Sequence, residues 1–410
     1  MDVHGLLSVV AAIVVLVHSR RAASASLRFG FGLQSVDQGG SAEAGLCSSP
    51  TNGYKCQGYD VVTGDGYILS MSRISQGRNG EGAGSNKQPV LLQHGIFVDG
   101  MSWMQSSANQ SLAFILVDNG YDVWISNTRG TRFSRRHRLF DPVDKEFWEW
   151  TWDDLATNEV SATTDFVFNQ TGQKVHYVGH SLGTLTALAA FSEGNQVINK
   201  VKSATLLSPI AYLSHMTTAL GNLVAQAFTG EITDLLGMAE YNPVGVPQAN
   251  FLKPLCINPM VDCNDMITEI TGQNCCLQTS TGDLSLKNNP QSTSTKNLVH
   301  LAQIVRYGKL AKFDYEDPKS NMEHYGQPTP PIYNMSNIPT NLPLFLSYGG
   351  KDKLSDVEDV QILLDCLKSH DVDKLEIQFV KEFAHIDFVM GVNANNIVYN
   401  RIMTFFKKHQ

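Results

Sequence analysis

The sequence predicts an α/β fold, a doubly wound and mostly parallel sheet that is interrupted by one inserted, mainly helical segment. Short apolar runs typical of buried strands alternate with helical patterns along much of the chain. This alternation stops between about residues 209 and 336, a span too long for a structureless loop inside a compact domain. With 410 residues, the chain is long enough for one large domain that carries such an insertion.

The predicted elements follow one another in a consistent order. Two β-like runs at residues 59–63 and 67–74 flank Gly64-Asp65-Gly66, which is a hairpin signal. Buried strands are predicted at residues 89–93, 121–125, 174–178, 204–207, 344–348 and 375–380. The stretch Ser355-Asp356-Val357-Glu358 fits a capping box and predicts the start of an amphipathic helix.

The N-terminus has the pattern of a targeting segment. Residues 6–17 are apolar apart from Ser8, too few to span a bilayer, and Ala23-Ser24-Ala25 resembles a cleavage site. No Lys or Arg precedes the apolar run, which is unusual for a signal peptide. We therefore expect a signal peptide (1–25), a first core part (26–208), a cap or lid insertion (209–336) and a second core part (337–410). No other segment looks transmembrane, and secretion is expected, with a lysosomal or vacuolar destination left open.

Secretion makes disulfides and glycosylation possible. The seven cysteines predict a Cys47–Cys56 disulfide and leave at least one thiol without an internal partner, for which Cys366 in a helix is the candidate. A cluster of four has a connectivity that the sequence leaves open, and a zinc site is its less favoured alternative: Cys256, Cys263, Cys275 and Cys276. Glycosylation sequons begin at Asn109, Asn169 and Asn334.

The net charge of −8 gives no electrostatic reason to expect nucleic acid as a partner. The compact basic run at residues 135–138 is too short to change this expectation.

Ser181 is the candidate nucleophile. Gly179-His180-Ser181-Leu182-Gly183 fits the pattern G-x-S-x-G, with a predicted strand before it and a predicted helix after it. This pattern is typical of a strained strand-to-helix turn that lifts a serine hydroxyl above the carboxyl edge of a sheet, where a side chain at either glycine would clash. A serine at an ordinary tight turn is the alternative.

An activated serine needs a base and an acid that orients the base. Asp352 follows the predicted strand at residues 344–348, and His385 follows the one at residues 375–380, in the chain order of a doubly wound hydrolase. We expect His385 to be the general base and Asp352 to hold and stabilise its imidazole. Asp356 is the rival acid, but it is expected in the first turn of a helix, and His180 is expected to serve packing.

The oxyanion of the tetrahedral intermediate needs backbone N–H donors. We assign them to Leu182, which follows the nucleophile, and to Ile96 in the loop Gln93-His94-Gly95-Ile96. Gly95 is the alternative to Ile96, and His94 is expected to be a structural hydrogen-bonding residue. This constellation requires no metal and no cofactor.

Five motifs together resemble the acid lipase family, which comprises the gastric and lysosomal lipases and their plant relatives. They are LLQHGIF, FWEWTWDDL, GHSLGT, YGGKDKLSD and AHIDF, in the family's order from about residue 54 to the C-terminus. The insertion segments TGQNCCL and PQSTSTKNLVHLAQ are most similar to plant secreted lipases, and Leu182 stands where the animal branch usually has Gln.

The resemblance implies an α/β-hydrolase fold with a lid-bearing cap and activity on acyl esters such as triacylglycerols at an oil–water or membrane surface. Acyl transfer to an alcohol, another lipid ester such as a sterol ester, and a silent fold used for binding are the alternatives. Residues 218–238 have apolar positions at helical spacing with glycines between them and predict a mobile lid, and the alternative is a static wall that packs permanently on the main domain. Trp148, Trp150 and Trp152 are expected to pack in the core.

Overall fold

A computed structural model describes residues 45–49, 51–78, 86–194, 196–216, 239–242, 268, 270–277 and 290–410. Its strands are β1 (Lys55–Val62), β2 (Tyr67–Gln76), β3 (Pro89–Gln93), β4 (Asp122–Ser126), β5 (Arg136–His137), β6 (Val175–His180), β7 (Val201–Leu207), β8 (Glu240–Tyr241), β9 (Thr293–Ser294), β10 (Leu344–Gly349) and β11 (Leu375–Val380). Its α-helices are α1 (Leu112–Asp118), α2 (Trp152–Asp154), α3 (Val160–Thr171), α4 (Leu182–Ser192), α5 (Thr295–Tyr307), α6 (Pro318–Tyr325), α7 (Val357–Cys366), α8 (Asp387–Met390) and α9 (Asn400–Lys408). A π-helical turn, Leu155–Glu159, joins α2 to α3.

The main sheet has the strand order β1-β2-β4-β3-β6-β7-β10-β11, and β5 pairs with the first two residues of β2. The first hairpin is antiparallel, and β2 is also antiparallel to β4. Every pair from β4 to β11 is parallel, which requires a crossover connection between successive strands. All carboxyl ends of these parallel strands therefore meet at one edge of the sheet, and β6 lies near its centre.

Both faces of the sheet are buried because side chains along each central strand alternate between two apolar clusters. In β3, Leu91 belongs to the cluster that contains α3 and α4, whereas Val90 and Leu92 belong to the cluster that contains α1 and α9. In β10, Leu344 and Phe345 divide in the same way. The continuous apolar runs of the sequence thus reflect burial on both sides.

The structure confirms the predicted α/β class, the hairpin and the six strands that follow it, with ends that differ by at most four residues. The predicted burial is wrong for β11, which lies at the edge of the sheet and exposes Ile377 and Phe379. The structure adds three strands of two residues each, β5, β8 and β9, which are too short to leave a periodic pattern. The packing role of the tryptophans is confirmed, since Trp148, Trp150 and Trp152 are all buried.

The predicted capping box at Ser355 is wrong. Helix α7 begins one residue later than that motif requires, and its N-cap is Asp356, whose carboxylate accepts from the N–H of Glu358 at 2.8 Å. Ser355 is instead buried, and its hydroxyl donates to the carbonyl oxygen of Pro209 at 2.7 Å. Its N–H is used by Asp352, as described below.

Two of the cysteine predictions are confirmed. Cys47 and Cys56 form a disulfide, and Cys366 is a free thiol, although it is only half-buried. The adjacent residues Cys275 and Cys276 form a disulfide with each other, so their sulfur atoms are not free to bind zinc. Cys256 and Cys263 lie outside the described residues, as do the predicted signal peptide and the predicted lid at residues 218–238. Within the described part of the chain, no helix has the length and apolar character needed to cross a bilayer.

The described residues between β7 and β10 are anchored to the core at Asp153 in α2. The carboxylate of Asp153 accepts from the N–H of Phe313 and the hydroxyl of Tyr333, both at 2.8 Å. Burial raises the pKa of Asp153 to about 7, although these hydrogen bonds and Lys312 act in the opposite direction. Asp153 is therefore neutral at acidic pH and becomes charged in a poorly solvated site near neutrality.

This shift predicts a pH-dependent stability. The pKa of Asp153 is about 7 in the folded protein against 3.8 for an unperturbed aspartate, so its favourable contribution is complete below pH 3.8 and is lost as the pH rises through about 7. Asn resembles the neutral acid and keeps an oxygen acceptor for Phe313. We therefore expect the free energy of unfolding of Asp153→Asn, minus that of the wild type, to be larger at about pH 7.5 than at about pH 4.5. Urea unfolding at both pH values measures this difference. Parallel pH profiles of the two proteins would contradict this.

Candidate active site

Ser181 occupies the turn that joins β6 to α4. Its backbone has φ 54° and ψ −119°, a conformation that non-glycine residues rarely adopt. The turn is held by the N–H of Ser181, which donates to the carbonyl oxygen of Leu207 in β7 at 3.2 Å. Because β7 fixes the main chain of this strained residue, the side chain of Ser181 is presented at the carboxyl edge of the sheet.

The two glycines of the G-x-S-x-G motif are there because main chains pass very close to them. A Cβ atom at Gly179 would lie 2.6 Å from the carbonyl oxygen of Gly183, and one at Gly183 would lie 2.6 Å from that of Gln93. Both distances are shorter than any normal contact of a Cβ atom, and both obstacles are backbone. The clash predicted from the motif is thus what the structure shows.

Ser181, His385 and Asp352 form a continuous hydrogen-bonded chain. The Oγ atom of Ser181 lies 2.7 Å from Nε2 of His385, and Nδ1 of His385 lies 3.1 and 3.0 Å from the two carboxylate oxygens of Asp352. All three residues are buried. The sequence separates them by up to 204 residues, and the loops after β6, β10 and β11 bring them together.

The charge of Asp352 is stabilised although the residue is buried. Burial would raise the pKa of Asp352, but His385 and the N–H groups of Ser355 and Leu354 outweigh it, so the pKa lies below its ordinary value. These N–H groups donate to Oδ1 at 2.8 and 2.9 Å. A carboxylate held in this way stays ionised and favours the tautomer of His385 that carries its proton on Nδ1.

The other histidines near Ser181 are not available as bases. Nε2 of His94 accepts from the N–H of Thr128 at 3.1 Å, and its Nδ1 donates to the carbonyl oxygen of Gly95 at 2.8 Å. Burial lowers the pKa of His94 to about 4 and that of His180 to about 3, the latter with help from the charge of His385. The prediction that His94 is a structural hydrogen-bonding residue is therefore confirmed.

His180 does more than the packing that we predicted. Its Nε2–H donates to the backbone carbonyl oxygen of His385 at 2.8 Å, so the turn that carries Ser181 contacts the main chain of His385. The two imidazole rings lie 4.9 Å apart between centroids. No local pattern in the sequence indicates this contact, because the two residues are 205 positions apart.

The two N–H groups predicted to bind the oxyanion lie on the segments that surround Ser181. Leu182 is the first residue of α4, where an N–H has no partner within the helix. Ile96 follows Gly95, and a Cβ atom at Gly95 would lie 3.0 Å from Cβ of Ser181. The loop after β3 therefore passes directly beside the serine.

Comparisons with known proteins agree with this arrangement. Residues 49–107 match a family model described as a partial alpha/beta-hydrolase lipase region, and residues 88–230 match one described as the alpha/beta hydrolase fold. Triacylglycerol lipase 2 of Arabidopsis thaliana is 54% identical over 90% of this chain and 88% of its own length. The human lysosomal acid lipase/cholesteryl ester hydrolase is 34% identical over 87% of this chain and 89% of its own length.

The chain belongs to the acid lipase family of α/β-hydrolases. As a family member it is a carboxylic ester hydrolase. A solved structure of a putative lipase from Sulfolobus solfataricus supports the fold alone, with a TM-score of 0.54, 15% identity and coverage of 84% of this chain and 90% of that one.

The crowding at the elbow of this acid lipase gives a direct test. We expect Gly179→Ala to lower the free energy of unfolding by about 1–3 kcal/mol or more, because the added methyl meets backbone that cannot move independently. Gly64→Ala is the control, since its Cβ atom would make an ordinary 3.5 Å contact with Asn158. Urea unfolding of both variants measures the effect, and equal losses at the two positions would contradict it.

Proposed function

We propose that this acid lipase hydrolyses triacylglycerols through an acyl-enzyme formed on Ser181. The observation that carries the proposal is the unbroken chain from Ser181 Oγ through His385 to the ionised Asp352. Its substrate class rests on the relatives, two of which are a triacylglycerol lipase of Arabidopsis thaliana and human gastric triacylglycerol lipase.

The geometry supports the following sequence of proton transfers. Ser181 Oγ attacks the ester carbonyl carbon while its proton passes to Nε2 of His385, 2.7 Å away. The resulting imidazolium is stabilised by Asp352, and the oxyanion accepts hydrogen bonds from the N–H groups of Leu182 and Ile96. The intermediate collapses, the ester C–O bond breaks, and His385 gives its proton to the leaving alcohol, which leaves the acyl-enzyme. Water then attacks the acyl carbon while His385 takes its proton, and the bond to Ser181 Oγ breaks as His385 returns that proton to Oγ and the fatty acid leaves.

Sterol esters are the second candidate substrate. The specific observation in their favour is the relative that is named a lysosomal acid lipase/cholesteryl ester hydrolase, at 34% identity. The relative at 54% identity is named a triacylglycerol lipase, and for this reason we place glycerides first.

We also propose that the chain is secreted and glycosylated and that residues 209–336 form a cap beside the site. The Cys47–Cys56 disulfide supports an oxidising compartment. The side chains of Asn109, Asn169 and Asn334 are all exposed, as glycosylation requires.

A labelling experiment tests the nucleophile together with the function. An alkyl fluorophosphonate should modify Ser181, because such reagents form a tetrahedral adduct only with an activated serine. Ser181→Ala should lose both the label and the hydrolysis of emulsified long-chain triacylglycerol. Mass spectrometry of the labelled peptide and titration of released fatty acid are the measurements. A label on another serine, or full activity of the Ala variant, would overturn the mechanism.

A second experiment tests the assignment of the acid. Asp352→Asn should keep the fold and lower kcat on the order of 10⁴-fold, because an amide favours the wrong tautomer of His385. Asp356→Asn should cost about 0.5 kcal/mol at most, since Asn also caps helices well. Steady-state kinetics on a soluble nitrophenyl ester would reveal the opposite ranking if Asp356 were the acid.

A further inference from the structure

His385 lies on the loop between β11 and α8, so its imidazole stays on Ser181 only if the main chain of that loop is fixed. The backbone N–H of His385 donates to the carbonyl oxygen of Thr271 at 3.1 Å. Its carbonyl oxygen accepts from His180 at 2.8 Å and from the hydroxyl of Ser208 at 3.3 Å. Two of these partners belong to the sheet edge, and Thr271 belongs to the insertion.

The carboxylate of Asp387 connects the base loop to the same part of the insertion. It accepts from the N–H of Ala384 at 2.8 Å and from the N–H groups of Cys275 and Cys276 at 3.1 Å each. Asp387 is fully buried, and burial raises its pKa although these three donors oppose the shift. A buried carboxylate that accepts three backbone N–H groups is a strong and directional clamp.

Residues 271–276, which we call the base strap, contact the acid loop as well. Gly272 pairs with Asp352 in an antiparallel bridge, and it has a φ of +93°. A Cβ atom there would lie 1.9 Å from the carbonyl oxygen of Lys351, so only glycine fits. The N–H of Ile386 donates to the side chain of Asn274 at 3.3 Å. The base strap thus lies against both loops that carry the proton-transfer residues.

The disulfide between Cys275 and Cys276 adds a constraint on the strap. A bond between adjacent cysteines closes a small ring that includes the peptide bond joining them, so it restricts the backbone of both residues. The two N–H groups in question are those that Asp387 binds. The ring therefore holds both donors in the orientation that the carboxylate needs.

We propose that Asp387 and the base strap, closed by the Cys275–Cys276 disulfide, position His385 for proton transfer from Ser181. The proposal rests on the proposed function, because it assigns a task only if His385 is the base. Both ring nitrogens of His385 are already occupied by Ser181 and Asp352. Asp387 therefore acts through the main chain and is a positioning residue, not a second acid.

The test compares Asp387→Asn with Asp359→Asn. Asp359 is a buried carboxylate that accepts from the N–H of His215 at 2.9 Å, and it lies outside the base loop. In Asp387→Asn an amide NH₂ replaces one carboxylate oxygen. Because this NH₂ cannot accept hydrogen bonds, part of the set from Ala384, Cys275 and Cys276 is lost. We expect kcat on a soluble nitrophenyl ester and the rate of fluorophosphonate labelling to fall about 100-fold with a KM changed less than about twofold. Asp359→Asn should lower stability and leave both rates unchanged.

A spectroscopic measurement separates positioning from general loss of stability. The proton shared by His385 Nδ1 and Asp352 should give a downfield ¹H resonance in the wild type. This resonance should broaden or disappear in Asp387→Asn and persist in Asp359→Asn at a temperature where both are folded. Wild-type labelling rates and an unchanged resonance in Asp387→Asn would overturn the proposal.

The disulfides supply a second pair of variants if Asp387→Asn does not fold. Cys275→Ser/Cys276→Ser keeps both N–H groups but opens the ring, and we expect labelling to slow about tenfold. Cys47→Ser/Cys56→Ser removes the other described disulfide and should keep the wild-type rate per folded molecule. Equal rates in the two double variants would contradict the role of the ring. If the wild type is not labelled at Ser181, the proposed function fails. If the wild type is labelled and the variants are labelled at the same rate, only the positioning role fails.

Discussion

The structure around the site depends on the close approach of the main chains of β6, α4 and β3 on either side of Ser181. This close packing holds Ser181 at a positive φ. Gly179 and Gly183 leave room for the carbonyl oxygens of Gly183 and Gln93, and Gly95 lets the loop after β3 pass beside the serine. The Ser181 N–H is tied to β7. A side chain at Gly179 would meet the backbone of α4, one at Gly183 would meet the end of β3, and one at Gly95 would meet Ser181 itself.

The three buried imidazoles near Ser181 differ in their hydrogen-bond partners. His94 and His180 are held neutral by burial, and each donates a ring N–H to a backbone carbonyl oxygen. His385 differs because an ionised carboxylate faces its Nδ1 and a hydroxyl faces its Nε2. Of the three histidines around Ser181, only His385 has a carboxylate on the far side of its ring, which is the arrangement expected of the proposed base.

The sheet, the elbow and the three residues of the proton chain were predictable because each has a local signature. A buried strand is an apolar run, the elbow is a five-residue motif, and Asp352 and His385 follow strands at the one edge where parallel strands end. The contacts of Asp387 and His180 were not predictable, since they join positions more than 100 residues apart without any periodic pattern. The capping box failed for a related reason, because Asp352 takes the N–H of Ser355 and the helix starts after it.

The described residues between β7 and β10 contact the core at two carboxylates, Asp153 and Asp387. At Asp153 they supply the N–H of Phe313 and the hydroxyl of Tyr333, and at Asp387 they supply the N–H groups of two cysteines. The contact at Asp387 also supports the main chain of His385. If His385 is the base, as proposed, loss of the contacts at Asp387 would leave its loop with fewer supports. The segment between β7 and β10 is therefore tied to the core both at α2 and at the loop that carries His385.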